Sequence, residues 1–192
     1  MKRIKLEGTE RTGLGKKETK KSRNAQQVPC VLYGNGLDNL HFTVPVTGLK
    51  PIVYTPEAFL IDLDISGKKH LAVLRDMQFH PLTDEILHID FFNVDETKPV
   101  AIDLPVVITG NSEGVKQGGK LQVLIRKLKV AALTKDLPDS LDVDITDVGL
   151  GKTIFVRDLS YPNISILTPP SSTVCRVKVT RAAREQTPTP QK

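Results

Sequence analysis

The 192 residues suffice for one medium domain or two small ones, and with 39% hydrophobic and 26% charged residues most of the chain is expected to fold. There is no tryptophan and few other aromatics, so its cores must rest on valine, isoleucine and leucine. No run of apolar residues is long enough for a membrane span, and the N-terminus, charged from Lys2 onward, lacks the apolar core of a secretory signal. No membrane partner is expected.

The net charge of +5 is unevenly spread. Residues 1–23 hold nine basic side chains against three acidic ones, a net of +6, while the rest of the chain nets −1. A concentrated basic segment on a near-neutral body is the footprint of a polyanion binder, although a solvated basic arm has the same composition. Cys30 and Cys175 lie far apart and are expected to be reduced, buried thiols of a cytosolic protein.

Ile4–Leu6 is the first predicted strand. Gly8 to Gly15 carries three glycines and two threonines and predicts a loop. Lys16 to Arg23 predicts about two helical turns with no apolar stripe to hold them to a core. Val28 to Gly36 reads as a short strand entering a turn, Leu40 to Val46 as a strand, and Thr47 to Tyr54 as a short helix containing Pro51. Phe59, Ile61, Leu63 and Ile65 alternate with Asp62 and Asp64, the mark of a half-buried strand. Gly67-Lys68-Lys69 predicts a hairpin turn, His70–Phe79 the returning strand, and Ile86–Val94 another. Short strands at this spacing imply a small β-barrel or sandwich.

Asp95-Glu96-Thr97-Lys98-Pro99 predicts a linker. Beyond it Val100–Thr109 is a strand whose Pro105 implies an edge or a bulge. Leu121–Leu133 predicts a strand pair or a bent strand. Leu141–Thr146, Thr153–Leu159, Ile164–Leu167 and Thr173–Thr180 complete a second, mainly β unit. The fold class expected is therefore mainly β, a small N-terminal barrel with short helices plus a second mainly β domain. The domains are expected at 1–95 and 96–184, with a disordered tail at 185–192.

Two glycine–lysine segments resemble phosphate loops, and neither is complete. Gly114 to Lys120 is followed by Leu121 where a Ser or Thr is required, and Gly151-Lys152-Thr153 has Thr146 in place of the leading glycine. Both are expected to be tight β-turns with positive φ. The four histidines show no metal-binding spacing, and no cofactor is expected. In an extended strand His88 and Asp90 share one face while Leu87, Ile89 and Phe91 take the other. The pair reads as a hydrolytic dyad, as a plain surface pair, or as a donor and acceptor for RNA. No nucleophile or oxyanion hole accompanies it, so no enzyme and no small-molecule substrate are expected. One strand earlier, Gln78 is expected to share its face with Asp76 and His80.

Arg11, Gly15-Lys16, Lys20-Lys21 and Arg23 are followed by Val28-Pro29-Cys30-Val31-Leu32-Tyr33-Gly34, Asp76-Met77-Gln78, His80-Pro81 and His88-Ile89-Asp90-Phe91. In this order they resemble the general stress protein CTC family of bacterial large-subunit ribosomal proteins, numbered twenty-five in the large-subunit series. Leu104-Pro105-Val106, Gly114 to Gly119, Leu141 to Ile145 and Leu150-Gly151 are similar to the long two-domain form. The resemblance spans about residues 4–180. It implies a cytoplasmic structural component of the ribosome whose barrel binds 5S rRNA, with neighbouring rRNA and ribosomal proteins as further partners. Carried onto this sequence, the RNA-binding positions are Arg11, Lys16, Lys20, Lys21, Arg23, Tyr33, Arg75, Gln78, His88 and Asp90. Ser22 departs from the leucine usual in the family, and Arg75 from a neutral polar residue in some members. The alternative is a tRNA-binding or stress-related RNA-binding module with a similar barrel.

Overall fold

The computed structural model describes residues 1–180, so the tail expected at 185–192 lies outside the described residues. The chain divides into two compact units. Among the described residues, the first holds 1–102 and 133–139, and the second holds 103–132 and 140–180.

The first unit is a closed six-stranded barrel with two short helices. In chain order its elements are β1 (Lys2–Glu10), α1 (Lys16–Asn24), β2 (Gln27–Gly34), β3 (Leu37–Pro45), α2 (Val46–Val53), β4 (Phe59–Ile65), β5 (Lys68–Phe79) and β6 (Ile86–Asn93). The strands run β1-β3-β2-β6-β5-β4 around the barrel, which leaves no open edge for pairing with another chain. The inward residues of β4 (Phe59, Ile61, Leu63 and Ile65) are buried, as their alternation predicts, and pack with Leu32, Phe42, Ile89 and Phe91.

Closure changes the reading of the glycine-rich segment. β1 continues through Gly8, Thr9 and Glu10 instead of giving way to a loop at Gly8. Lys2 to Gly8 pair parallel with β4, and then Thr9 and Glu10 switch to antiparallel pairing with Thr43 and Phe42 of β3. Gly8 stands at this switch, where an added Cβ would lie 2.7 Å from Phe42 Cδ2. The glycine that suggests a loop is there because the strand crosses an aromatic ring closely. The β4–β5 turn is likewise shifted: Ser66 and Gly67, with φ of 50° and 90°, form its centre, and Lys68 and Lys69 already pair with Ile65 and Asp64.

The second unit contains most of β7 (Val100–Thr109), then α3 (Glu113–Lys116), β8 (Lys120–Val123), β9 (Lys127–Ala132), β10 (Leu141–Asp144), β11 (Thr153–Phe155), β12 (Ser165–Ile166) and β13 (Thr173–Lys178). One sheet runs β10-β7-β9-β12 and another β11-β13-β8. The segment 121–133 is thus two strands belonging to different sheets. β7 is an interior strand despite Pro105, not the edge strand that was one of the two expectations. The Val106 N–H donates to the Arg126 carbonyl at 2.9 Å, and the β10 ladder starts only at Val106 opposite Leu141. The donor that proline lacks falls just before that ladder begins. The strand expected over 153–159 ends at Phe155, because the Asp158 carboxylate accepts the Phe155 N–H at 2.8 Å and curls Val156–Asp158 into a 3-10 turn.

The phosphate-loop look-alikes divide. Gly118 and Gly151 do take positive φ, at 85° and 74°. Gly114 instead sits in the single helical turn α3, whose Val115 N–H donates to Ser112 Oγ, and an added Cβ would lie 2.6 Å from the Gly149 carbonyl carbon. Its role is close backbone approach, not a positive-φ turn.

Candidate nucleic-acid interface

The barrel places four polar side chains on one outer patch through cross-strand register. On β5 and β6, Asp76 pairs with Asp90 and Gln78 with His88, while Met77 opposite Ile89 turns inward. His88 Nδ1 lies 2.8 Å from Asp90 Oδ1, and both side chains are 29% exposed. An Nδ1–H donated to the carboxylate leaves Nε2 of a neutral ring as an acceptor. The patch thus holds carboxylate acceptors, an amide that both donates and accepts, and an imidazole. β2 lies on the far side of β6, with Val31 opposite Asp90 and Tyr33 opposite Phe92. Tyr33 packs edge-on against Phe92 with centroids 5.9 Å apart, two residues along the strand from the Asp90 level.

α1 lies over β2 and supplies the cations. It buries no residue, as its sequence predicts, so its attachment is polar. Arg23 donates from Nε and Nη2 to the Leu87 carbonyl at 3.1 and 2.9 Å. Arg11 is half-buried, and its Nη2 reaches the Gly13 carbonyl at 3.2 Å and Thr19 Oγ1 at 3.3 Å. The Ser22 hydroxyl donates back to the Glu18 carbonyl at 3.0 Å, a local bond that gives the helix no apolar anchor. Thr19 and Ser22 form the half-buried side, and Lys16, Lys17, Lys20 and Lys21 are exposed.

The sequence-predicted positions therefore separate by what they touch. Lys16, Lys20 and Lys21 make no ion pair among the described residues, whereas Arg11 braces the loop and Arg23 moors the helix. Gln78, His88 and Asp90 come together, with Tyr33 nearby. Arg75 sits at the irregularity between Leu74 and Asp76 and donates from Nη1 to the Ala101 carbonyl at 3.1 Å.

His80 does not share the Gln78 face. The register shifts after Gln78, β5 ends at Phe79, and His80 Nδ1 accepts the N–H groups of Leu82 and Thr83 in the following turn. One candidate, Lys17, was missed by the sequence reading, and Asp76, expected on the Gln78 face, gains a partner that was not expected. Lys17 stands among the exposed lysines, and its spacing of four from Lys21 is the signal that was available. Asp76 faces Asp90, a pairing fixed by a bulge that sequence does not disclose.

Beneath the patch Cys30 pairs with Ile89, and burial, reinforced by the Asp90 charge, pushes its thiol well above its usual range against the opposing pull of Arg11. Both cysteines are free and buried. No group of three or more His, Cys, Asp or Glu side chains placed to hold a metal occurs among the described residues, and no helix among them is long and apolar enough to cross a membrane.

The described residues thus place a cation-bearing helix beside a polar face of a closed barrel. Residues 6–91 match the Ribosomal L25p family and residues 99–181 match the family described as Ribosomal protein TL5, C-terminal domain. The chain is 50% identical over 190 residues to the large ribosomal subunit protein bL25 of Phocaeicola vulgatus, with 96% of each chain covered. It is 46% identical over 190 residues to that of Bacteroides thetaiotaomicron and 45% over 185 residues to that of Porphyromonas gingivalis, again with 96% of each covered. The chain belongs to the bacterial bL25 family in its long, two-domain form. This is a structural, non-enzymatic family of the large ribosomal subunit.

Proposed function

We propose that this protein binds 5S rRNA within the large subunit through its first 95 residues, with the α1 lysines holding phosphates and the β5–β6 face reading the RNA. The observation that carries the reading is the Arg23–Leu87 mooring, which fixes the cationic helix one residue from His88. Regular A-form RNA offers a wide, shallow minor groove with 2′-hydroxyls and base edges. Asp76 and Asp90 suit its amino and hydroxyl donors, and Gln78 suits both donors and acceptors. Lys16, Lys17, Lys20 and Lys21 neutralise flanking phosphates, each contributing about −0.7 to −0.9 to the log–log salt slope.

Titration of purified 5S rRNA at two salt concentrations tests the proposal, and absent or salt-independent binding overturns it. Lys20→Ala with Lys21→Ala weakens binding to every RNA and flattens the slope. Asp90→Ala mainly lowers the preference for 5S rRNA over other duplex RNA. Identical behaviour of the two variants overturns the division of roles. A tRNA-binding module would be lost when large subunits are washed with salt, so co-sedimentation separates that reading.

A further inference from the structure

We propose that the outer face of the β11-β13-β8 sheet in the second unit is a separate contact for an RNA phosphate backbone. Cys175 and Val177 of β13 point into the core, which turns Arg176 and Lys178 outward. Register places Lys120 of β8 directly opposite Lys178, and Gln122 of β8 and Thr153 of β11 on either side of Arg176. Lys120 and Lys178 are both exposed. The three strands contain no Asp or Glu, and none of these cations has an ion-pair partner among the described residues.

Two like charges directly opposite on neighbouring strands destabilise a sheet. An unneutralised pair therefore marks a face adapted to something other than the stability of the free protein. Arg176 gives the second indication. Its Nε donates to Gln122 Oε1 at 3.1 Å, which holds the guanidinium plane and leaves the terminal nitrogens for a bidentate acceptor. Arg176 stands two residues from Lys178, about 6.6 Å along the strand, so the three cations span more than one phosphate.

The composition of the face favours RNA over an acidic protein. The residues that register sets around Arg176 are Lys120, Gln122, Thr153 and Lys178, all polar or cationic, and the half-buried Phe155, beyond the register shift after Ile154, has the Arg157 guanidinium 4.8 Å over its ring. Protein interfaces are depleted of charge at their centres and enriched in aromatics, whereas nucleic-acid interfaces are polar and strongly positive. The inference does not require 5S rRNA to be the target of the barrel.

The test uses the full chain and an RNA duplex of arbitrary sequence. Lys16, Lys17, Lys20 and Lys21 are first replaced by alanine to silence the helix. The remaining binding is expected to show a salt slope of about −2 to −3, and Lys120→Glu with Lys178→Glu is expected to weaken it at least about tenfold and flatten the slope. Lys178→Glu alone is expected to raise the melting temperature of the free protein while weakening duplex binding, because it replaces a repulsion with an attraction. If the double reversal lowers the melting temperature, Lys120→Ala with Lys178→Ala supplies the binding comparison. Unchanged duplex affinity in folded variants overturns the proposal, as does polyglutamate competing as well as the duplex. A failure of 5S preference in the barrel leaves this measurement intact, so the two readings fail separately.

Discussion

Arg23 donates from two guanidinium nitrogens to the carbonyl oxygen of Leu87, at 3.1 and 2.9 Å. This contact joins a helix that buries nothing to the strand that carries His88 and Asp90. An isolated helix of nine residues is marginal in water, so its order depends on such attachments. Arg23→Lys keeps the charge and loses the fork. The expected result is faster amide exchange over residues 16–24, a stability change of the barrel below about 1 kcal/mol, and RNA affinity reduced roughly tenfold. Full affinity with a frayed helix would show that mooring is not needed for binding.

Gly34 sets the position of Tyr33 through Phe92. Its φ is 112°, and an added Cβ would lie 2.6 Å from Phe92 Cε2, on the ring that packs edge-on against Tyr33. Gly34→Ala combines backbone strain with a steric clash and is expected to cost about 2–4 kcal/mol. Urea unfolding followed by tyrosine fluorescence in a Tyr54→Phe, Tyr161→Phe background, where Tyr33 is the remaining tyrosine, checks both the loss and the displaced ring. A cost under about 0.5 kcal/mol would mean that the ring moves aside freely.

The strands of the barrel were legible because Phe59, Ile61, Leu63 and Ile65 alternate with acids, and the helix because Lys16 to Arg23 lacks turn residues. Gly8 was not, since a glycine chosen for close approach to Phe42 has the same letter as one chosen for a loop. Pro105 misled for a related reason: the missing donor matters only where a ladder is present, and pairing partners are not written locally. The same limit applies to the interface. The shared face of His88 and Asp90 follows from a period of two within one strand. The apposition of Asp76 to Asp90 depends on a bulge at Arg75, and the exclusion of His80 on a register shift after Gln78. Charge located the cations but did not separate the free lysines from Arg11 and Arg23, whose partners are backbone or hydroxyl oxygens.

Burial raises the Cys30 thiol from its ordinary value of 9.0, and raises Cys175 in the same direction. Below pH 9.0 both folded and unfolded chains hold these protons, and the stabilising contribution of the neutral thiols is fully present. Above it the unfolded chain releases them while the folded chain retains them, so stability falls as pH rises. For the deeply buried Cys30 the slope approaches about 1.4 kcal/mol per pH unit once the unfolded thiol has ionised. Cys30→Ala should remove this alkaline decline from the first unit, whatever its cost at neutral pH. Denaturant melts from pH 8 to 10 measure it, and an unchanged slope would refute the linkage.

Asp76 and Asp90 oppose each other across β5 and β6, a pairing that costs roughly 0.2–1 kcal/mol relative to a neutral one. His88 at 2.8 Å from Asp90 offsets part of that repulsion by donating to the carboxylate. Asp76→Asn keeps an acceptor for the Met77 N–H, now bonded at 2.9 Å, and removes one of the two charges. It is expected to stabilise the free barrel while lowering its preference for 5S rRNA. In a His88→Ala background the gain should be larger, since the repulsion is no longer offset. A double-mutant cycle in urea, run beside competition binding with unrelated duplex RNA, measures both effects. Loss of stability in Asp76→Asn would mean that the acid is held by contacts that outweigh its neighbour's charge. Gain of stability with unaltered RNA preference would remove Asp76 from the reading face and leave Gln78, His88 and Asp90 to carry it.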